Sequence, residues 1–176
     1  MARIEIWNGD ICDLEVDTIV TPASGSLWMS TGVAGAIKRA GGDSIEFAAI
    51  RQAPVEAGGA IVTPAGTLAA RALIHAISLD GDRRTSTETL QAAVRSAMAR
   101  AREIGATSIA FPALGSGVGG YPLDEGARIT VSTVREELPA SPSVIHVVFA
   151  LRGAAAYQAF SHALQEASAM SGVVNR

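Results

Sequence analysis

Three short segments of this 176-residue chain combine residue types suited to holding a ligand, one as an acidic turn and two as loops that can hold an anion. The first is "WNGDI", where Asp10 can present a carboxylate beside the backbone N–H of Ile11; the same aspartate can instead close the turn on its own backbone. The second is "TPASGSLWMSTGVAGAI", in which Ala23, Ser24 and other small residues lead through Thr31 to a helix opening at Gly32, Val33 and Ala34. Small residues let backbone approach a ligand closely, and the unpaired N–H groups of a helix start attract phosphate. A flexible linker, with Gly35 there for close packing, would give the same letters. The third is "FPALGSGVGGYP", where Leu114, Gly115, Ser116, Gly117, Val118, Gly119, Gly120 and Tyr121 follow an apolar run. Four glycines in six residues expose several N–H groups, and Ser116 adds a hydroxyl, so an oxyanion can be cradled there.

Gly115, Gly117 and Gly120 formally spell the GxGxxG of dinucleotide-binding folds. That motif needs an acid about 20 residues on, at the end of the next strand. Here the next strand ends in Phe149-Ala150-Leu151-Arg152, without a carboxylate, and no lysine follows the glycines as a phosphate-binding P-loop requires. Two anion loops and one acidic turn instead describe a site for a ligand with a diphosphate and a base.

Other reactive residues fit chemistry less well. Cys12, the only cysteine, has no local His or Lys to activate it and cannot form an internal disulfide. His75 and His146 fall inside strands and read as structural, His162 reads as an exposed helical residue, and no two histidines share metal-ligand spacing. No metal or other cofactor is expected. Trp28 and Met29 can form a lid over a ligand or plug their loop against the core. Asp80, Asp82, Arg83 and Arg84 read as a solvated charged loop.

The elements that must position these segments alternate. Apolar, β-branched runs at residues 3–7, 18–21, 59–63, 72–77, 107–111 and 144–149 predict six strands. Several are continuously apolar, as strands covered on both faces are. A helix is predicted from Thr85, with Glu88 completing a capping box, Leu90, Val94, Ala97, Met98, Ala101 and Ile104 as its apolar stripe, and Gly105 as its stop. Another follows Pro122 and ends before Pro139, and a third follows Gly153, burying Tyr157, Phe160, Leu164 and Ala167. Shorter helices open at Val33 and after Gly42. The expectation is an α/β fold, one domain over residues 1–176, with a mostly parallel sheet between helical layers. In such sheets ligands bind beyond the carboxyl ends of the strands, just after Trp7, Thr21, Phe111 and Phe149.

Bulk composition narrows the partners. With 48% hydrophobic and 18% charged residues the chain is globular, and a net charge of −3 offers no basic field for duplex DNA. No apolar stretch reaches the ~18 residues that cross a bilayer, and the N-terminus lacks the basic and apolar regions of a signal peptide. A cytoplasmic setting is expected.

"NGDI", "GVAGAIKRAGG", "IHAIS" and "SIAFPALGSGVGGYP" occur in the order and spacing of macro domains, and the resemblance runs over about residues 3–164. It is greatest to stand-alone bacterial macro domains. The resemblance implies a three-layer α/β/α sandwich with a mixed, mostly parallel sheet of about six strands. It implies ADP-ribose or a related nucleotide as ligand, free or on an ADP-ribosylated protein. Asp10 would accept from the adenine amine with Ile11 supporting the ring, and Gly32, Val33 and Ala34 would donate to the diphosphate and distal ribose. Ser116, Gly117, Val118, Gly119, Gly120 and Tyr121 would wrap the phosphates, and Phe149 or Leu151 would contact adenine, with Leu151 the better match. Two departures count against turnover: hydrolytic members usually carry asparagine where this chain has Ser24, and one hydrolase branch has aspartate where it has Ala34. The resemblance therefore implies binding, with hydrolysis of ADP-ribosyl derivatives as the alternative and Ser24 as the one catalytic candidate.

Overall fold

The computed structural model describes residues 1–173; the single-domain expectation runs to Arg176, and its last three positions lie outside the described residues. Six strands, β1 (Arg3–Asn8), β2 (Thr18–Ala23), β3 (Ala60–Pro64), β4 (Ala72–Ile77), β5 (Ser108–Phe111) and β6 (His146–Leu151), form one sheet in the order β1-β6-β5-β2-β4-β3. Five are mutually parallel; β3 alone runs antiparallel, against β4.

Alternating side chains on the strands feed two cores, because successive residues of a strand face opposite ways. Val20, Ile74, Phe111 and Phe149 pack with α3 (Thr87–Glu103), α4 (Leu123–Glu137) and α5 (Ala154–Val173). Their sequence neighbours Ile19, Leu73, Ala110 and Val148 pack with α1 (Gly32–Gly41) and Ile45 of α2 (Ser44–Ile50). The expected three-layer sandwich and its mixed six-stranded sheet are thus present, with three helices on one face and two on the other.

Two local expectations change. Ser86, not Thr85, caps α3: its Oγ accepts from the Thr89 N–H at 3.1 Å and donates to the Thr89 hydroxyl at 3.0 Å. Thr85 is buried one residue earlier, and its hydroxyl donates to the Ser78 carbonyl at 2.7 Å. A threonine buried before the helix is therefore unavailable to cap it. Tyr157 is exposed rather than buried, because the packed face of α5 runs through Ala159, Phe160 and Ala163.

Candidate functional site

Because five strands are parallel, their carboxyl ends share one edge, and a cleft of ≈ 760 Å³ runs along it. Its walls come from the segments after β1 (Asp10, Ile11), β6 (Leu151, Arg152), β5 (Ala113 and Gly115 to Gly119), β2 (Ala23 to Ala34) and β4 (Ser78, Leu79, Arg83).

The β2 side supplies a helix start. Thr31 is the N-cap of α1 but its side chain makes no capping bond, so the first-turn amides of Gly32, Val33 and Ala34 are left without intrahelical acceptors. All three residues, with Thr31, line the cleft. The loop before them is tied from inside by Glu46, a buried carboxylate on α2. Its Oε2 accepts from the Met29 N–H at 2.7 Å and its Oε1 from Lys38 Nζ at 2.8 Å. Burial alone would raise the pKa of Glu46, but the bonds from Lys38 and Met29 outweigh it and hold it below the ordinary glutamate value. The open question about Trp28 and Met29 divides: Met29 is buried in the core, while Trp28 is exposed and lines the cleft. Ser24 also lines it, its hydroxyl 3.1 Å from that of Ser26.

The β5 side supplies a bend. Its amides at Gly115, Ser116, Gly117, Val118 and Gly119 donate to no acceptor among the described residues, and all five residues line the cleft. Gly120 and Tyr121 differ: their amides donate to the carbonyls of Gly117 (3.1 Å) and Gly115 (2.9 Å), which closes the bend. The Ser116 hydroxyl donates to the Ala113 carbonyl. Thr85 sits under the bend and takes the place a side chain would need. A Cβ on Gly119 would run into its hydroxyl, and one on Gly115, already at φ 80°, would lie 2.8 Å from its methyl.

Four expected contacts fall outside the cleft walls. Phe149 is fully buried, its ring centroid 6.1 Å from Phe111 and 5.3 Å from Phe160, because its side chain points into the three-helix core. Leu114 is buried in the same core. Gly120 and Tyr121 have their amides committed as above, and the Tyr121 hydroxyl is engaged with that of Thr87 at 2.7 Å. Leu151, two residues beyond Phe149 and so on the same face of β6, does line the cleft.

At the β1 end, Asp10 accepts from the Cys12 N–H at 2.9 Å through Oδ1 and from Arg152 Nη2 at 3.1 Å through Oδ2. The Cys12 bond, opposed by burial and helped by Arg152, holds its carboxyl below the usual range. The same neighbourhood disables Cys12 as a nucleophile: burial and the adjacent Asp10 push its thiol up to about 11. The histidines are absent from the cleft walls. His75 is buried against Thr63 (2.8 Å) with its pKa lowered by burial to about 4, His146 bonds Glu5 at 3.0 Å, and His162 is exposed on α5.

Arg39, Arg83 and Arg152 line the cleft but escape a reading of motifs. Arg83 lies in an exposed charged loop, as expected, and also lines the cleft: Asp80 Oδ1 accepts from the amides of Asp82 and Arg84 at 2.9 Å each, a tight turn that places Arg83 at the wall. The available signal was β4 itself: a fully buried parallel strand must also end on the ligand-binding edge. Arg39 and Arg83 make no ion pair among the described residues, so two uncompensated positive charges stand beside the free amides. The arrangement can hold a bent, doubly negative ligand by main-chain donors. Among the described residues, it sets only one carboxylate, Asp10, on the wall.

The macro domain family profile matches residues 20–130, and the chain belongs to that family. It is 41% identical over 165 residues to an uncharacterised protein of Mycobacterium tuberculosis, covering 94% of this chain and 45% of that one. The chain thus spans about half the length of the curated relatives it matches first. Over 141 residues it is 38% identical to the O-acetyl-ADP-ribose deacetylase of Salmonella typhimurium (77% of this chain, 79% of the relative). Relatives occur in archaea as well, among them a protein of Pyrobaculum aerophilum at 38% identity, so the likeness is not confined to bacteria. A mutant Oceanobacillus iheyensis macrodomain solved with ADPR superposes with a TM-score of 0.84 at 28% identity, covering 92% of this chain and 91% of that one. The Trypanosoma brucei macrodomain in complex with ADP-ribose gives 0.84 at 26% identity, covering 90% and 68%. No helix among the described residues is long and apolar enough to cross a membrane.

Proposed function

We propose that this chain, acting as one domain, binds ADP-ribose or the terminal ADP-ribosyl group of a modified molecule, such as a protein, in the cleft along the carboxyl edge of its sheet. The observation that carries the reading is that two sets of unpartnered amides, at residues 32–34 and 115–119, line a single hollow. Oriented N–H groups and a helix start are suited to a diphosphate, and Arg39 and Arg83 add long-range attraction. The diphosphate lies between the two loops, the base at the β1–β6 end beside Asp10, Ile11 and Leu151, and the distal ribose toward Ser24. ADP-ribose and ADP in the related structures support this choice of ligand. Calorimetry with ADP-ribose is the direct test. Saturable heat is expected at micromolar ligand; a flat trace up to a few hundred micromolar would defeat the reading.

A second reading, hydrolysis of O-acetyl-ADP-ribose or a related ADP-ribosyl derivative, is favoured by the deacetylase relatives. Against fast turnover stand Ser24 and Ala34, where an asparagine amide and an aspartate would orient the ribose and activate water. Loss of one such group costs roughly 10²–10⁴ in rate. Incubating the protein with the acetylated nucleotide and following acetate release separates reader from enzyme. Release no faster than the buffer control is the expected result.

A further inference from the structure

We infer that the β2–β4 end of the cleft is a docking surface for the protein that carries the ADP-ribosyl group, and that it takes a segment in which acidic residues flank the modified side chain. The inference rests on the proposed binding reading and extends it from the nucleotide to its carrier. The base lies at the β1–β6 end and the diphosphate between the two loops. Whatever is attached to the distal ribose must therefore leave past the loops that follow β2 and β4, at the other end of the row of parallel strands. Those loops set Trp28 and Arg83 on the cleft wall.

The backbone singles out both loops. Among the described residues, Leu27 (φ 63°) and Arg83 (φ 60°) are the only non-glycine residues with a positive φ. A side chain crowds its own backbone there, so the conformation persists only where neighbouring contacts impose it. Leu27 is fully buried and its N–H donates to the Ser24 carbonyl at 2.9 Å, a bend that leaves the next residue, Trp28, 62% exposed. The Arg83 N–H donates to the Asp80 carbonyl at 3.0 Å, and Asp80 Oδ1 ties the amide that follows. Each bend thus presents an exposed side chain of a type that carries binding energy in protein interfaces, an indole and a guanidinium. Charge selects the partner. Arg83 and Arg39, whose Nη1 lies against Gly35 beside Ser30, make no ion pair among the described residues. Asp80 is turned onto the amides of its own loop, Glu46 is buried against Lys38, and the one carboxylate on the wall, Asp10, lies at the opposite end. Free amides meet the diphosphate, so the arginines that attract it at long range keep their contacts for the carrier. Two cations on a chain of net charge −3 do not make the basic stripe that follows a phosphodiester backbone, and their complement is an acidic peptide.

The experiment uses synthetic peptides that carry a single ADP-ribosylated serine flanked on either side by glutamate, glutamine or lysine. Calorimetry compares each with free ADP-ribose on wild type, Arg83→Gln and Trp28→Ala, all checked for folding by thermal melting. Wild type is expected to bind the glutamate peptide about tenfold more tightly than the lysine peptide at low salt, a gap that narrows as salt screens it. Arg83→Gln should shrink that gap roughly threefold, the scale of one exposed ion pair, while the long-range attraction it also removes falls on every ligand alike. Trp28→Ala should weaken the three peptides about tenfold relative to free ADP-ribose. Equal affinity of wild type for the three peptides, an unchanged gap in Arg83→Gln, or equal losses for peptides and ADP-ribose in Trp28→Ala would overturn the docking surface while leaving nucleotide binding intact. An ADP-ribosylated oligonucleotide bound more tightly than the glutamate peptide would place nucleic acid there and overturn it too. Wild type that binds neither ADP-ribose nor any peptide would instead remove the reading on which the inference rests.

Discussion

The two loops that flank the cleft reach one result by opposite means. The β2 loop is held by side chains: buried Glu46 grips the Met29 amide and Lys38, and the amides it presents belong to a regular helix start. The β5 bend is held by its own backbone and by a lack of side chains, with Gly120 and Tyr121 folded back on Gly117 and Gly115 and glycines lying against Thr85. In both, the amides facing the cleft are free because neighbouring groups carry the structural bonds. A donor can be left for a ligand only where something else fixes the chain. The β2 loop should therefore be sensitive to charge, and the β5 bend to volume.

The largest effect expected is on binding alone. Gly117 has an ordinary φ, and a Cβ there meets nothing within 4 Å, so Gly117→Glu should fold normally. Its carboxylate would occupy the diphosphate position, where like charges in contact cost several kcal/mol, so calorimetry should show affinity lost by at least ~100-fold. A variant that still binds ADP-ribose as wild type does would remove the bend from the site.

Next in size is Glu46→Ala, which strands Lys38 and the Met29 amide. Lys38 is partly exposed and can turn to water, so the loss falls short of the ~3–5 kcal/mol of a fully buried pair but is readable by urea unfolding. The same group gives the β2 loop an acid limit. Its folded pKa lies below its unfolded value, so its contribution is present above the ordinary glutamate range and fades as pH falls through the folded value. Stability measured against pH should drop on that acid side less in Glu46→Gln than in wild type. An identical pH profile would show that Glu46 is not the anchor.

The smallest effect is expected at Gly119→Ala, where a single methyl group meets the Thr85 hydroxyl and the Gly115 carbonyl. Overpacking of this size costs about 1–3 kcal/mol. The combination of Gly119→Ala with Thr85→Ala should recover part of that loss, relative to Thr85→Ala alone, by removing the Thr85 hydroxyl that the new methyl meets. Recovery in the melting temperature of the double variant, and none with Ser86→Ala, would separate steric fit from helix capping.

Much of this architecture is written in local pattern. Alternating apolar strands and capped helices specify an α/β sandwich, since each element must bury its apolar face, and parallel strands then gather their loops on one edge. Glycine spacing marked the β5 bend, and the small residues before Gly32 marked the helix start. Position along the chain could not tell Phe149 from Leu151, because both face the same side of β6 and both are buried in the same core; only the structure shows that Leu151, at the strand's end, also reaches the cleft wall. Nor could it show that Thr85 is a floor rather than a cap, as the bend it supports lies some thirty residues downstream.

By itself, then, the sequence determined the layers, the ligand-binding edge and the two amide-rich loops, because periodicity and glycine placement act over a few residues. Tertiary structure alone decided which amides stay free, which charges reach the cleft and where Arg152 lies. Those outcomes depend on bonds between residues as far apart as Asp10 and Arg152, which meet only when β1 and β6 pair.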